Sequence, residues 1–134
     1  MRRICYHIYM QLLVIFLLSA LTILATAHFM AIQFLLYWKY NWFDIPMHFI
    51  GGLCVALGFA VLPFFKINLR SKYTTFLSYM TVVLLVGLSW EVFEIVAGVN
   101  IIDEYFIGDT MLDLIMDIAG GAVGYGLVKR ILTI

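Results

Sequence analysis

Gly108-Asp109-Thr110-Met111-Leu112-Asp113-Leu114-Ile115-Met116-Asp117-Ile118-Ala119-Gly120-Gly121 carries an aspartate at every fourth position and turns to glycine where the acids stop. At about 100° per residue, Asp109, Asp113 and Asp117 form one narrow helical stripe, which Gly120 and Gly124 continue. The stripe is set in Leu, Ile, Met and Val, the composition of a bilayer-crossing helix. An acidic stripe on such a helix is costly against lipid, so it faces something else.

The whole chain has the same character. Of its 134 residues, 65% are hydrophobic and 12% charged, against about 45–50% and about 25% in soluble domains. The predicted fold class is all-α: a polytopic integral membrane protein, a four-helix transmembrane bundle, with residues 1–134 as a single transmembrane domain. No Gly/Ser or charged linker marks off a soluble domain, and no basic run suits nucleic acid. Cys5 and Cys54 read as small apolar filler rather than a disulfide or metal pair.

Taken in order, the first predicted helix covers about residues 10–37. That exceeds a bilayer core of about 30 Å, so the helix tilts, bends near Ala25–His28 or lies partly in the interface. Met1-Arg2-Arg3, the apolar run and Ala25-Thr26-Ala27 have the layout of a cleavable signal peptide. The run continues past that point to Tyr37-Trp38, which favours the uncut helix. Trp38 to Phe43 reads as an interfacial aromatic belt. Asp44-Ile45-Pro46 supplies an N-cap and a first-turn proline to a second helix at about 45–62, ended by Pro63. A third helix at about 74–97 stops at Gly98-Val99-Asn100, and a fourth runs over about 109–129.

Seven of the eight Lys and Arg residues fall on one side of this topology: Arg2, Arg3, Lys66, Arg70, Lys72, Lys129 and Arg130. Only Lys39 is opposite. The positive-inside rule then places both termini in the cytoplasm of a bacterial plasma (inner) membrane. The acids collect at the other side. His48, Glu91, Glu94, Asp113 and Asp117 lie roughly 5–12 Å below the outer surface at 1.5 Å per residue. Asp44 and Asp109 stand at helix mouths as candidate N-caps, and Asp103 and Glu104 fall in the outer loop.

Each helix also puts small residues on its acidic face: Gly51 and Gly52 with Asp44 and His48, Gly87 and Gly98 with Glu91 and Glu94. Small residues let membrane helices approach closely, so the three faces are expected to converge. Carboxylates facing lipid could together cost about 10 kcal/mol. No Lys or Arg lies within a helix core to neutralise them. Crowded carboxylates do not all ionise without compensation, so protons stay bound or a cation sits among them. Asp44, His48, Glu91, Glu94, Asp113 and Asp117 are the candidate metal ligands, with His48, Glu91 and Asp113 foremost. Glu91, Glu94 and Asp113 are the candidate catalytic residues. The bland alternative is a polar knot that only ties helices together, and for His28 and Gln33 structural hydrogen bonding is the expectation.

Phe43-Asp44-x-x-x-His48-Phe49-x-Gly51-Gly52, Trp90-Glu91-x-x-Glu94 and Gly108-Asp109-x-x-x-Asp113-x-x-x-Asp117-x-x-Gly120-Gly121 together resemble the VanZ-like superfamily of small bacterial membrane proteins. The nearest resemblance is to its YjdF-like inner-membrane branch, over about Trp42 to Tyr125. The resemblance implies a membrane protein of the cell envelope and transfers no reaction. One divalent cation is the expected cofactor: Zn²⁺, Mn²⁺ or Fe²⁺ with His48, Mg²⁺ or Ca²⁺ with carboxylates alone. The bilayer is the expected partner, with a lipid-linked envelope intermediate as candidate substrate and a homo-oligomer as candidate assembly. A non-enzymatic proton- or cation-binding protein, in transport or envelope stress, is the competing reading.

The topology is checked by reporter fusions after Lys72 and after Arg130. Both should report cytoplasm, and a periplasmic signal from either would overturn the orientation.

Overall fold

The computed structural model describes residues 2–40, 42–65, 67, 74–98 and 106–132. Every regular element among them is helical: α1 (Arg2–Gln33), α2 (Leu36–Lys39), α3 (Asp44–Val61) with a 3₁₀ turn at Leu62–Phe65, α4 (Phe76–Ala97) and α5 (Phe106–Leu132). Four of these helices are long and apolar enough to cross a membrane. They are α1, α3, α4 and α5, the four expected spans.

Local chemistry accounts for most boundaries. Thr75 caps α4, its Oγ1 accepting from the Ser78 N–H at 3.3 Å, as β-hydroxyl residues do at helix starts. Gly98 ends α4 in the left-handed region at φ 73°, its N–H donating to the Glu94 and Ile95 carbonyls. Glycine takes that conformation without a Cβ penalty. Pro46 is accommodated in the first turn of α3, where its missing N–H is no loss.

Several boundaries differ from the sequence expectation: α1 already begins at Arg2 rather than about residue 10, and α5 begins at Phe106, so Asp109 lies in its first turn and is not its N-cap. The first helix passes through Ala25–His28 unbroken and stops at Gln33, and Leu35 then turns the chain at φ 55°. Leu35 is the sole non-glycine residue with positive φ among those described. Neither glycine nor proline marks the position, which is why the hydrophobic run concealed it. Asp44 is also not an N-cap. Phe43 holds that position without a side-chain cap, so Asp44 lies in the first turn. The Lys66, Arg70 and Lys72 side chains, Asn41 and the Asp103-Glu104 loop fall outside the described residues.

α3 and α5 form the central pair, with α1 packed mainly on α3 and α4 packed on both. Glycines make the central pair possible. A Cβ on Gly52 would run into the Asp117 backbone, and one on Gly120 into the Phe49 carbonyl. One on Gly124 would come 2.8 Å from the Ala56 methyl. Beyond this seam, at the end of the bundle away from His48, Met10, Leu13, Ala56, Leu57, Ala60, Val61, Tyr79, Met80, Val83 and Val128 form the apolar core.

Gly120→Leu should therefore force α3 and α5 apart and lower stability by about 3 kcal/mol or more, beyond ordinary overpacking. Leu84→Ala, on an exposed face of α4, should change it by less than about 1 kcal/mol. Equal losses in unfolding from detergent micelles would refute the seam.

Candidate functional site

The glycine seam sets the register of the polar groups. With α3 backbone against α5 backbone at Gly52 and Gly120, His48 falls opposite Asp113 and Asp117. His48 is 6% exposed and Asp113 1% exposed, so both are withdrawn from lipid as the insertion cost demands.

The two nitrogens of His48 have different surroundings. Nδ1 meets Asp117 Oδ2 at 3.4 Å; a neutral imidazole that donates there keeps its lone pair on Nε2. Nε2 points between Asp44 Oδ1 at 3.8 Å and Asp113 Oδ2 at 4.0 Å. Those separations exceed a hydrogen bond, and Nε2 is buried with no hydrogen-bond partner. One ligand atom from each of Asp44, His48 and Asp113 lies within 4.8 Å of the others. An ion with ligand distances of about 2.0–2.2 Å fits between such atoms after shifts of a few tenths of an ångström. This group could hold a metal ion. The Asp117–His48 contact is then the outer carboxylate that orients a ligating imidazole.

The six candidate residues are thus not equivalent. Asp44, His48 and Asp113 face one another, and Asp117 holds the imidazole from behind. Asp44, a candidate ligand also expected as a cap at the mouth, belongs to this group, whereas Glu91, one of the foremost candidates, does not. Glu91 and Glu94 are buried on α4 but belong to other partners. A side-chain hydrogen bond joins Glu91 to Thr110, while Glu91 Oε1 stays buried and unpartnered. Trp90 Nε1 donates to Glu94 Oε1 at 3.0 Å. A Cβ on Gly87 would strike the Asp117 carboxylate, so this glycine admits Asp117 rather than an α4 ligand. Asp109, at the open end of the stripe, is exposed.

His28 and Tyr37 form a polar pair that sequence patterning did not bring together. The Tyr37 hydroxyl and His28 Nδ1 are 2.8 Å apart, because the turn at Leu35 folds α2 back on α1. Tyr37 also stacks edge-on to Phe43 at 5.5 Å, next to Asp44. In the sequence Tyr37 stands only at the end of the first apolar run, just before the aromatic belt. Gln33, the other residue for which structural hydrogen bonding was the expectation, is exposed.

Over residues 1–133 the sequence matches the family described as "Predicted membrane protein (DUF2238)", and the chain belongs to that family. No curated protein and no solved structure matches it. The family description carries neither the VanZ nor the YjdF name, and fixes a membrane protein without an activity.

Burial, and secondarily the charges of Asp44 and Glu94, push the Tyr37 hydroxyl up to about 12 from its usual 10. The phenol therefore stays protonated in the folded protein. Its contribution to stability is complete below the unfolded value near 10 and is lost as pH rises through 12. In a tyrosinate absorbance titration, wild type and Tyr37→Phe should coincide at pH 10 and separate only near 12. Separation already at 10 would place Tyr37 in open solvent, away from the acids.

Proposed function

We propose that this protein is a divalent-cation-binding protein of the bacterial inner membrane, with its site near the extracytoplasmic leaflet and both termini in the cytoplasm. The observation that carries this reading is the buried Nε2 of His48. It is aimed between two carboxylates from different helices, at separations too long for hydrogen bonds. A polar knot would close these contacts into hydrogen bonds, since buried polar atoms left unpaired cost about 1–3 kcal/mol each.

Asp44, His48 and Asp113 are the ligands in this reading, and Asp117 orients His48. One imidazole with two carboxylates favours Zn²⁺, Mn²⁺ or Fe²⁺ over Mg²⁺ or Ca²⁺. Three protein ligands leave a coordination position open. Asp44 is the most exposed of the three, with 23% of its side chain accessible, so a bound ion would be reached from its side. An ion there would activate water or polarise a phosphoryl oxygen. Lipid-linked envelope intermediates, which lie at that depth, are the substrate class that fits. The sequence resemblance to VanZ-like proteins supports an envelope role.

The test is metal content of the purified full-length protein. Stoichiometric metal should be lost in His48→Ala and Asp113→Asn. Asp117→Asn should keep the ligands but weaken affinity by about 10–100-fold, the usual cost of losing an outer-shell partner. Wild-type protein that binds no transition metal from an excess would sink the proposal.

A further inference from the structure

Of the three ligands in the cation reading, Asp44 is held least by its own helix. His48 and Asp113 lie inside α3 and α5 and are almost fully buried. Asp44 stands in the first turn of α3, behind Phe43, an N-cap residue that makes no side-chain cap. Where Asp44 sits is therefore decided by what fixes the chain at the entry to α3.

That entry is built from α2. The Tyr40 N–H donates to the Leu36 carbonyl and the Phe43 N–H to the Tyr40 carbonyl, both at 2.9 Å, so backbone turns carry α2 into α3. α2 has four residues, none of them buried, and a helix that short does not sustain itself. Tyr37 ties it to α1: its hydroxyl is 2.8 Å from His28 Nδ1, and the two rings are 5.7 Å apart. On its other side the Tyr37 ring meets Phe43 edge-on, at 5.5 Å and 84°. One side chain thus bridges α1 and the residue next to Asp44.

The bridge exists only because Leu35 turns the chain at φ 55°, a conformation a leucine keeps only where surrounding contacts impose it. Were Leu35 helical, α1 would run on, and His28 and Tyr37 would stand roughly 13 Å apart along the axis and half a turn around it. The strained turn and the bridge hold each other in place.

We propose that Tyr37 is a positioning residue for the cation site: anchored by His28, it sets the place of Asp44 through Phe43 and so tunes cation affinity without touching the ion. This rests on the cation site proposed above.

The experiment titrates purified full-length protein with Mn²⁺ and follows bound ion by EPR. Tyr37→Ala should weaken affinity by about 10-fold or more, the scale for losing a group that orients a ligand. The Mn²⁺ it still binds should show an altered line shape, because water replaces the displaced carboxylate. Tyr37→Phe keeps the ring against Phe43 and lacks only the hydroxyl, so it tests the bridge even if Tyr37→Ala fails to fold. It should weaken binding severalfold, His28→Ala should match it, and the double variant should lose no more than either, since all remove the same hydrogen bond. Wild-type affinity in Tyr37→Phe overturns the positioning role and leaves the cation site standing. Additive losses in the double variant, a loss confined to His28→Ala, or weaker binding by Tyr37→Ala with an unchanged line shape overturn it equally. A wild-type protein that binds no Mn²⁺ overturns both the site and the positioning role.

Discussion

The close approach of α3 to α5 is the constraint on which the rest of the structure depends. Gly52 meets the Asp117 backbone and Gly120 meets the Phe49 carbonyl with no room for a Cβ at either position. In a bilayer no hydrophobic force drives helices together, and small residues permit the packing that does. The same contacts fix the axial register of the two helices, which decides that His48 meets Asp113 and Asp117. Gly87 extends the effect to α4 by leaving space for the Asp117 carboxylate. Packing and polar chemistry are therefore one design: a side chain at any of these glycines would move a residue of the acidic cluster as well as a helix.

Given that register, electrostatics determine what the cluster can be. His48 Nε2, Glu91 Oε1 and Asp113 Oδ1 are buried without hydrogen-bond partners. Three such atoms at one end of a small bundle are more than packing alone explains, since nearly all buried polar atoms are satisfied in folded proteins. Trp90 hydrogen-bonds the neighbouring Glu94 and so reduces the demand without removing it. The cation proposed at Asp44, His48 and Asp113 is one way of bringing positive charge to these acids.

Much of this was legible in the sequence because the signals are periodic. Aspartates four apart define the α5 stripe, and glycines on the same face give the seam, whatever the tertiary structure. The four spans follow from hydropathy and length. Sequence periodicity fixes a residue's angle within its own helix but not that helix's rotation against its neighbours. Hence the exchange of Asp44 for Glu91 in the tightest group: both lie on the right faces, and only packing decides which one reaches Nε2. The turn at Leu35 was illegible for another reason. A leucine in the left-handed region has no compositional signature, and tertiary contacts of α2 hold it there. Without that turn Tyr37 would not meet His28.

The apolar end of the bundle explains how such a site can be sustained. The buried cluster around Leu57, Val61, Tyr79 and Val83 lies away from the acids; Leu57 is about 14 Å from His48 along α3, at 1.5 Å per residue. There the aromatic rings interlock, with Phe59 to Tyr79 at 4.8 Å and Tyr79 to Tyr125 at 5.0 Å. Interlocked rings of this kind add about 0.5–1.5 kcal/mol per pair beyond the area they bury. This end can hold the helices in register while the other leaves polar atoms unsatisfied. α3 and α5 run through both ends, and their glycine seam transmits the register from one to the other. A loss of packing at Leu57 or Tyr79 would therefore be felt at His48 as a change in its spacing from Asp44 and Asp113.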